Sequence, residues 1–242
     1  MRITLLDTTG STNDEAYERL NAGDPGPVAV RARVQRAGRG RLSRAWASPE
    51  GGLWMTVGVV TTRRTPPCLP LRVALALWDA IAPVLDDNTR LRIKWPNDLL
   101  LDGLKCAGIL CESRTLDRGR RCLLVGTGVN ADFDPSVLPD HLRDTATTIR
   151  AATGTPVDVA SLADRLAASV LRAVRAPENE LTPAELRTLI DRLAYLDTPV
   201  SLRAPDGTDT RGVLEGLTPD GRAVLRTDRG LAFVSAGDVA PG

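Results

Sequence analysis

From residue 197 onward the chain is cut at short intervals by Pro205-Asp206-Gly207, Pro219-Asp220-Gly221 and Asp228-Arg229-Gly230. Each is a turn signal. Proline presets φ at a corner, aspartate bonds the backbone two residues on, and glycine accepts the positive φ. The runs between them are short and rich in Val, Leu and Thr, a pattern that points to a small antiparallel β-barrel. About 45 residues bury too little surface to stand alone, so this unit must dock on whatever the preceding chain forms. The expected division is residues 1–195 and 196–242.

Upstream, the texture is mixed. Residues 3–6 read as a strand, followed by a helix announced by Ser11-Thr12-Asn13-Asp14, with Ser11 as N-cap and Asp14 in the place of a capping-box acid. Strands are expected at 28–35, 53–60, 91–94, 105–112 and 122–129, and a buried helix at 71–85. Helical spacing returns at 158–174. A further helix starts at Thr182-Pro183-Ala184-Glu185, where cap, first-turn proline and box-closing glutamate are all present. The expected class is α+β, a mixed sheet flanked by helices, with the small barrel appended.

Several functions are disfavoured. A formal net charge of +1 gives no bulk attraction to nucleic acid or membrane surfaces. No apolar run approaches the ~18 residues that span a bilayer, and the N-terminus meets a charge too early for a signal peptide, so a cytoplasmic location is expected. Cys68, Cys106, Cys111 and Cys122 lack metal-ligand spacing, and the single histidine, His141, is distant in sequence. They read as packing residues, with no metal site. Of 31 basic residues only two are lysines, Lys94 and Lys105. In so arginine-rich a chain, a surviving lysine is a candidate for a position where a compact ammonium serves and a planar guanidinium does not; the alternative is drift, which the motifs around both lysines disfavour.

Three segments hold candidate chemistry. Residues 35–46 (Gln-Arg-Ala-Gly-Arg-Gly-Arg-Leu-Ser-Arg-Ala-Trp) place cations among glycines between two strands. Glycines let amides approach an anion, and arginines offer forked donors; alone, the segment fits a solvated basic turn as well. Like charges and glycines give that loop little reason to be fixed without an anion. In Lys94-Trp95-Pro96-Asn97-Asp98, Pro96 breaks the strand so that Asn97 and Asp98 project at its end. Lys105-Cys106-Ala107-Gly108-Ile109-Leu110 follows, bringing the second lysine nearby. Two ammonium groups beside an arginine loop suit the making and breaking of a carboxyl–phosphoryl anhydride. Gly126-Thr127-Gly128-Val129-Asn130 ends an apolar strand with glycines that admit a nucleotide or form a turn.

Taken in order, these segments resemble the biotin protein ligases: Ser11-Thr12-Asn13, the Gly-Arg-Gly-Arg loop running to Trp46, Lys94 to Asp98, Lys105 to Leu110, and Gly126 to Asn130. The resemblance covers roughly residues 1–195. It implies a class II synthetase-like catalytic domain, an SH3-like C-terminal barrel, and two steps. Biotin and MgATP give biotinyl-5′-AMP, and a lysine of a biotin carboxyl carrier domain then takes the biotin. By resemblance, Ser11, Thr12, Asn13 and Gln35 bind biotin with Arg39, Gly40, Arg41 and Lys105. Arg39, Arg41, Arg44, Trp46, Asn97, Gly108 and Asn130 border the adenylate. Lys105, Lys94, Arg39 and Asp98 are the catalytic set, Asp98 serving as general base for the acceptor amine, as a turn cap, or as a magnesium helper.

Two departures stand out. Position 43 is serine where many members have glycine, which asks whether that backbone needs positive φ. The chain also begins at the catalytic strand without the helix-turn-helix module of some members, so no operator binding is expected. A lipoate ligase shares the adenylation logic but carries a Gly-Gly-Gly run absent here; a nucleic-acid regulator using the arginine loop is disfavoured by the near-neutral charge. Oligomeric state stays open between monomer and weak dimer.

Overall fold

The computed structural model describes residues 1–242, apart from the side chain of Arg118. Strands β1 (Ile3–Thr9), β2 (Val28–Gln35), β3 (Leu53–Thr61), β4 (Leu91–Lys94), β5 (Asp98–Leu101), β6 (Leu104–Thr115) and β7 (Arg121–Val129) form one sheet in the order β1-β2-β3-β7-β6-β5-β4. Only β1 and β2 run parallel; every other pair is antiparallel. A second, wholly antiparallel sheet holds β8 (Pro199–Arg203), β9 (Asp209–Leu217), β10 (Ala223–Thr227), β11 (Gly230–Val234) and β12 (Asp238–Pro241).

Strand alternation gives the large sheet two faces. Leu53, Met55 and Val57 of β3 point to one, where they join the main core with Leu77 of helix α2 (Leu69–Ile81) and Leu166 of a later helix (Val159–Arg175). Ala16 and Leu20 of α1 (Thr12–Asn21) cover part of the opposite face, against Val28, Val30 and Leu124. The main core continues without a break into Leu202, Leu214 and Leu225 of the second sheet. Each such leucine contributes about 1.5–3 kcal/mol by burial, so the small sheet gains from the large one the apolar cover it lacks alone. The Trp95 indole, 1% exposed, donates to the carbonyl of Gly221 and pins the two together.

Three expectations change. The helix expected over 71–85 ends at Ile81, because Pro83 has no N–H to continue it and Ala82–Val84 tightens into a 3₁₀ turn. Pro96 does end the strand at Lys94, but a strand not expected from the sequence follows: Trp95–Asn97 form the turn of a β4–β5 hairpin, and Asp98 opens β5 opposite Lys94. Ser11 holds the N-cap position of α1 but its side chain caps nothing: the Asp14 and Glu15 N–H groups both donate to the Ser11 carbonyl, at 3.1 Å each, and the Asp14 carboxylate, expected to close the box, is engaged by arginines. By contrast, Thr182 and Glu185 form the full capping box of the helix Pro183–Asp191.

Candidate active site

On the α1 face of the sheet, beyond the end of that helix, lies a cavity of about 230 Å³. Its wall is built by Ser11, Thr12 and Asn13 at the start of α1, Gln35 at the end of β2, the loop 39–47, the β4–β5 turn, β6 and β7. Fourteen of the fifteen residues singled out in the sequence line it. The exception is Lys94, which sits at the end of β4 and is not part of the wall.

The floor is made of glycines. A Cβ on Gly108 would lie 2.9 Å from the Trp46 ring, one on Gly128 2.8 Å from the same ring, and one on Gly126 2.6 Å from Asn13 Oδ1. These glycines therefore admit Trp46 and Asn13 side chains, and not only a ligand as their sequence context suggested. Trp46 also meets Trp54 edge to face, with ring centres 6.5 Å apart.

Lys105 reaches this face through a bulge. Leu99 pairs with Ala107 and Leu100 with Lys105, leaving Cys106 as the extra residue. Without it, Lys105 would share the core-facing side of Ala107 and Ile109; with it, Lys105 joins Gly108 on the cavity side. The Lys105 backbone is fixed by Thr145 O and Thr147 N. Its ammonium lies 2.6 Å from Asp98 Oδ2 and 5.0 Å from the centre of the Trp46 ring. Asp98 Oδ1 and Trp46 Nε1 are both buried and neither has a partner within the protein. One oxygen of Asp98 is thus paired to Lys105 and the other is covered. Burial pushes the Cys106 thiol up to about 12, so it stays protonated at neutral pH and acts in packing.

The polar end of the cavity is a connected chain. The Thr12 N–H and hydroxyl donate to Gln35 Oε1 at 2.8 and 3.1 Å, and Gln35 Nε2 donates to Ser48 Oγ at 2.9 Å. Thr56 donates to Asn13 Oδ1 at 2.5 Å and lies 2.8 Å from the Thr12 hydroxyl. Asn13 Nδ2 donates to Glu112 at 2.8 Å, Arg114 donates to Glu112 and lies 2.9 Å from Asp14, and Arg39 donates to both Asp14 oxygens at 2.7 and 2.8 Å. Hydrogen bonds from Arg39, and then from Arg114, hold the Asp14 carboxyl below its ordinary range. Thr56, Glu112 and Arg114 were missed in the sequence. Their one signal is a polar residue on the even-numbered positions of otherwise apolar strands.

The arginine loop also differs from expectation. Its cations have counter-ions in the protein: Arg39 on Asp14, and Arg41 and Arg44 on Asp238. Arg41 further donates to Asn97 Oδ1 at 2.9 Å, while Asn97 Nδ2 donates to Ile109 O. Leu42 and Ser43 sit at φ 54° and 57°, so position 43 does require the left-handed region that glycine takes without cost. Asn130 donates to Thr147 O at 3.0 Å and its N–H to Cys106 O, tying the cavity's far wall to the bulge.

Comparison with known proteins gives a consistent result. The sequence model of the biotin/lipoate A/B protein ligase family matches residues 5–130. The biotin–[acetyl-CoA-carboxylase] ligase of Paracoccus denitrificans is 35% identical over 246 residues, covering 97% of this chain and 98% of that protein. The bifunctional ligase/repressor BirA of Bacillus subtilis is 32% identical over 242 residues, covering 98% of this chain and 73% of that protein. Among solved structures, the biotin protein ligase from Aquifex aeolicus in complex with biotin and ATP superposes with a TM-score of 0.80 at 26% identity, covering 99% of this chain and 97% of the other. The Leishmania major biotin protein ligase in complex with biotinyl-5-AMP gives 0.65 at 25%, covering 97% and 99%.

Proposed function

This chain belongs to the biotin/lipoate A/B protein ligase family, and from that premise we propose how its cavity works as a biotin protein ligase. The enzyme uses ATP to convert biotin to biotinyl-5′-AMP and then transfers biotin to a protein lysine. ATP and biotin are its substrates. Magnesium enters as MgATP, on the phosphates; among the described residues no cluster of three His, Cys, Asp or Glu side chains forms a metal site.

The observation that carries the assignment is Lys105, held by Asp98 over Trp46 in the wall of the cavity that the polar chain and the arginine loop also line. Ser11, Thr12, Asn13 and Gln35 take the polar ring of biotin. Hydrogen bonds within the protein orient Thr12, Asn13 and Gln35 beforehand, which favours a ligand with matching groups. The biotin carboxylate then attacks the α-phosphorus of ATP, and pyrophosphate departs with the electron pair of the broken bond. Lys105, Arg39 and Arg41 face the charge that grows on the phosphoryl oxygens; one such donor is worth about 10²–10³ in rate. Trp46, Gly108, Asn97, Arg44 and Asn130 border the adenylate, and Lys94 adds positive charge from outside the wall. In the second step the acceptor amine attacks the acyl carbon and AMP leaves.

The acceptor is a biotin carboxyl carrier domain, in keeping with the relative in Paracoccus denitrificans that is named for acetyl-CoA carboxylase. We assign the chemistry to residues 1–195 and place the reaction in the cytoplasm, where ATP is supplied. Among the described residues no helix is long and apolar enough to cross a membrane. Incubation with biotin and MgATP should yield biotinyl-5′-AMP by mass spectrometry. Adenylation that proceeds on lipoate but not on biotin would overturn the assignment.

A further inference from the structure

We propose that Asp238, in the C-terminal sheet, is a positioning residue of the active site: it sets the two arginines of the adenylate loop. The proposal rests on reading the cavity as the biotinyl-adenylate site. Asp238 opens β12 and lines that cavity, although its sheet otherwise lies apart from the chemistry. Its two oxygens are shared between two cations of one loop, with Arg44 Nη1 2.6 Å from Oδ2 and Arg41 Nη1 3.5 Å from Oδ1.

The approach is built into the backbone. Gly237, just before it, has φ 152°, and a Cβ there would lie 2.6 Å from Arg203 O and 2.6 Å from Leu202. Only glycine lets β12 start this close to β8, and the Gly237 carbonyl then accepts from Arg41 at 3.2 Å. Arg41 is thereby fixed from two sides, by the C-terminal sheet and by Asn97 in the β4–β5 turn.

Geometry alone would not hold the loop so. Arg41 and Arg44 repel one another, and the residues between them, Leu42 and Ser43, occupy a left-handed conformation that disfavours the turn. One carboxylate between the two heads offsets the repulsion and sets their separation before a phosphate arrives. Asp238 touches no reacting atom; it acts through Arg41 and Arg44. The small domain accordingly contributes to adenylate retention as well as to the core.

The test uses the full chain and biotinyl-5′-AMP. In Asp238→Asn, which keeps the shape and removes the charge, adenylate release should quicken by roughly three- to ten-fold, the range expected of two half-exposed ion pairs. KM for ATP should rise by a similar factor, with kcat for adenylation changed less than about two-fold. Asp238→Glu should restore most of the loss. Raising salt from about 0.05 M to about 0.5 M should speed release from the unsubstituted chain but not from the variant, a response that a merely structural role would not produce. Arg44→Gln removes the same pair from the loop side and keeps the test available if Asp238→Asn does not fold. In the double variant the effects should be less than additive. Unchanged release from folded Asp238→Asn, a lowered KM for ATP, or full additivity would each overturn the proposal. An unsubstituted chain that forms no biotinyl-5′-AMP would overturn the underlying reading first, and separately.

Discussion

Adding one methyl group to the cavity floor should disable one end of the site and spare the other. In Gly128→Ala the new Cβ lies 2.8 Å from the Trp46 ring, where ordinary carbon contacts are about 3.5–4.0 Å. Something must therefore move by roughly 0.7 Å or more. The strand cannot, because Gly128 is paired on both sides, to Trp54 in β3 and to Gly108 in β6. Trp46 stands on a loop and is only half-buried, so the indole yields and is pushed toward the cavity. Overpacking of this kind costs about 1–3 kcal/mol, and 1.4 kcal/mol is about ten-fold in affinity. Pyrophosphate exchange with ATP varied at saturating biotin should show KM for ATP rising about ten-fold or more, with KM for biotin within about three-fold. Gly126→Ala should do the reverse. Its Cβ meets Asn13 Oδ1 at 2.6 Å, and Asn13 is held at both ends by Thr56 and Glu112, so the loss should fall on biotin. Equal effects on both substrates from either variant, or none from both, would refute this division of the cavity.

Lys105→Arg should lower adenylation by roughly 10²-fold despite keeping the charge, because the planar head cannot occupy the space between Asp98 and Trp46 and donors misplaced by about 1 Å lose that much; near-normal exchange would contradict it. Asp98→Asn should weaken adenylate formation and transfer together, since it releases Lys105; a loss confined to transfer from preformed biotinyl-AMP would instead make Asp98 a general base. The Asp14 carboxyl is depressed below its unfolded value near ~3.9. Its contribution to holding Arg39 is therefore complete above that value and is lost only as pH falls through the lower folded one. The hydrogen-exchange protection factor over residues 38–44, taken relative to the intrinsic rate at each pH, should stay flat from about pH 5.5 to about pH 8.5 and fall only in stronger acid, and a midpoint near neutrality would rule out Asp14 as the anchor.

What was legible in the sequence was local. The capping box of Thr182 and Glu185 needs only residues three apart, and each motif of the cavity is a short continuous run on one element or loop, so their residues converge once the sheet forms. What stayed hidden depends on register and on distant partners. The end of β4 at Pro96 was legible, but β5 was not, because its four residues form a strand only once Lys94 pairs with Asp98 across the turn. Lys105 faces the cavity because of a bulge at Cys106, which leaves no trace in the alternation of so short a run. Asp14 resembled a cap, yet arginines 25 and 100 residues away claim it. Lys94, chosen for its scarcity, stands outside the wall. Asp238 gave no signal, since its role arises from how the second sheet docks.

The central claim is most directly tested by ATP–pyrophosphate exchange with purified protein, MgATP, and either biotin or lipoate. Exchange should depend on biotin, vanish without it, and be weaker with lipoate by ~10⁴ or more, because the hydrogen-bonded set of Thr12, Asn13 and Gln35 would be left unmatched. Exchange with lipoate at a comparable rate, or none with biotin from the folded protein, would contradict the account.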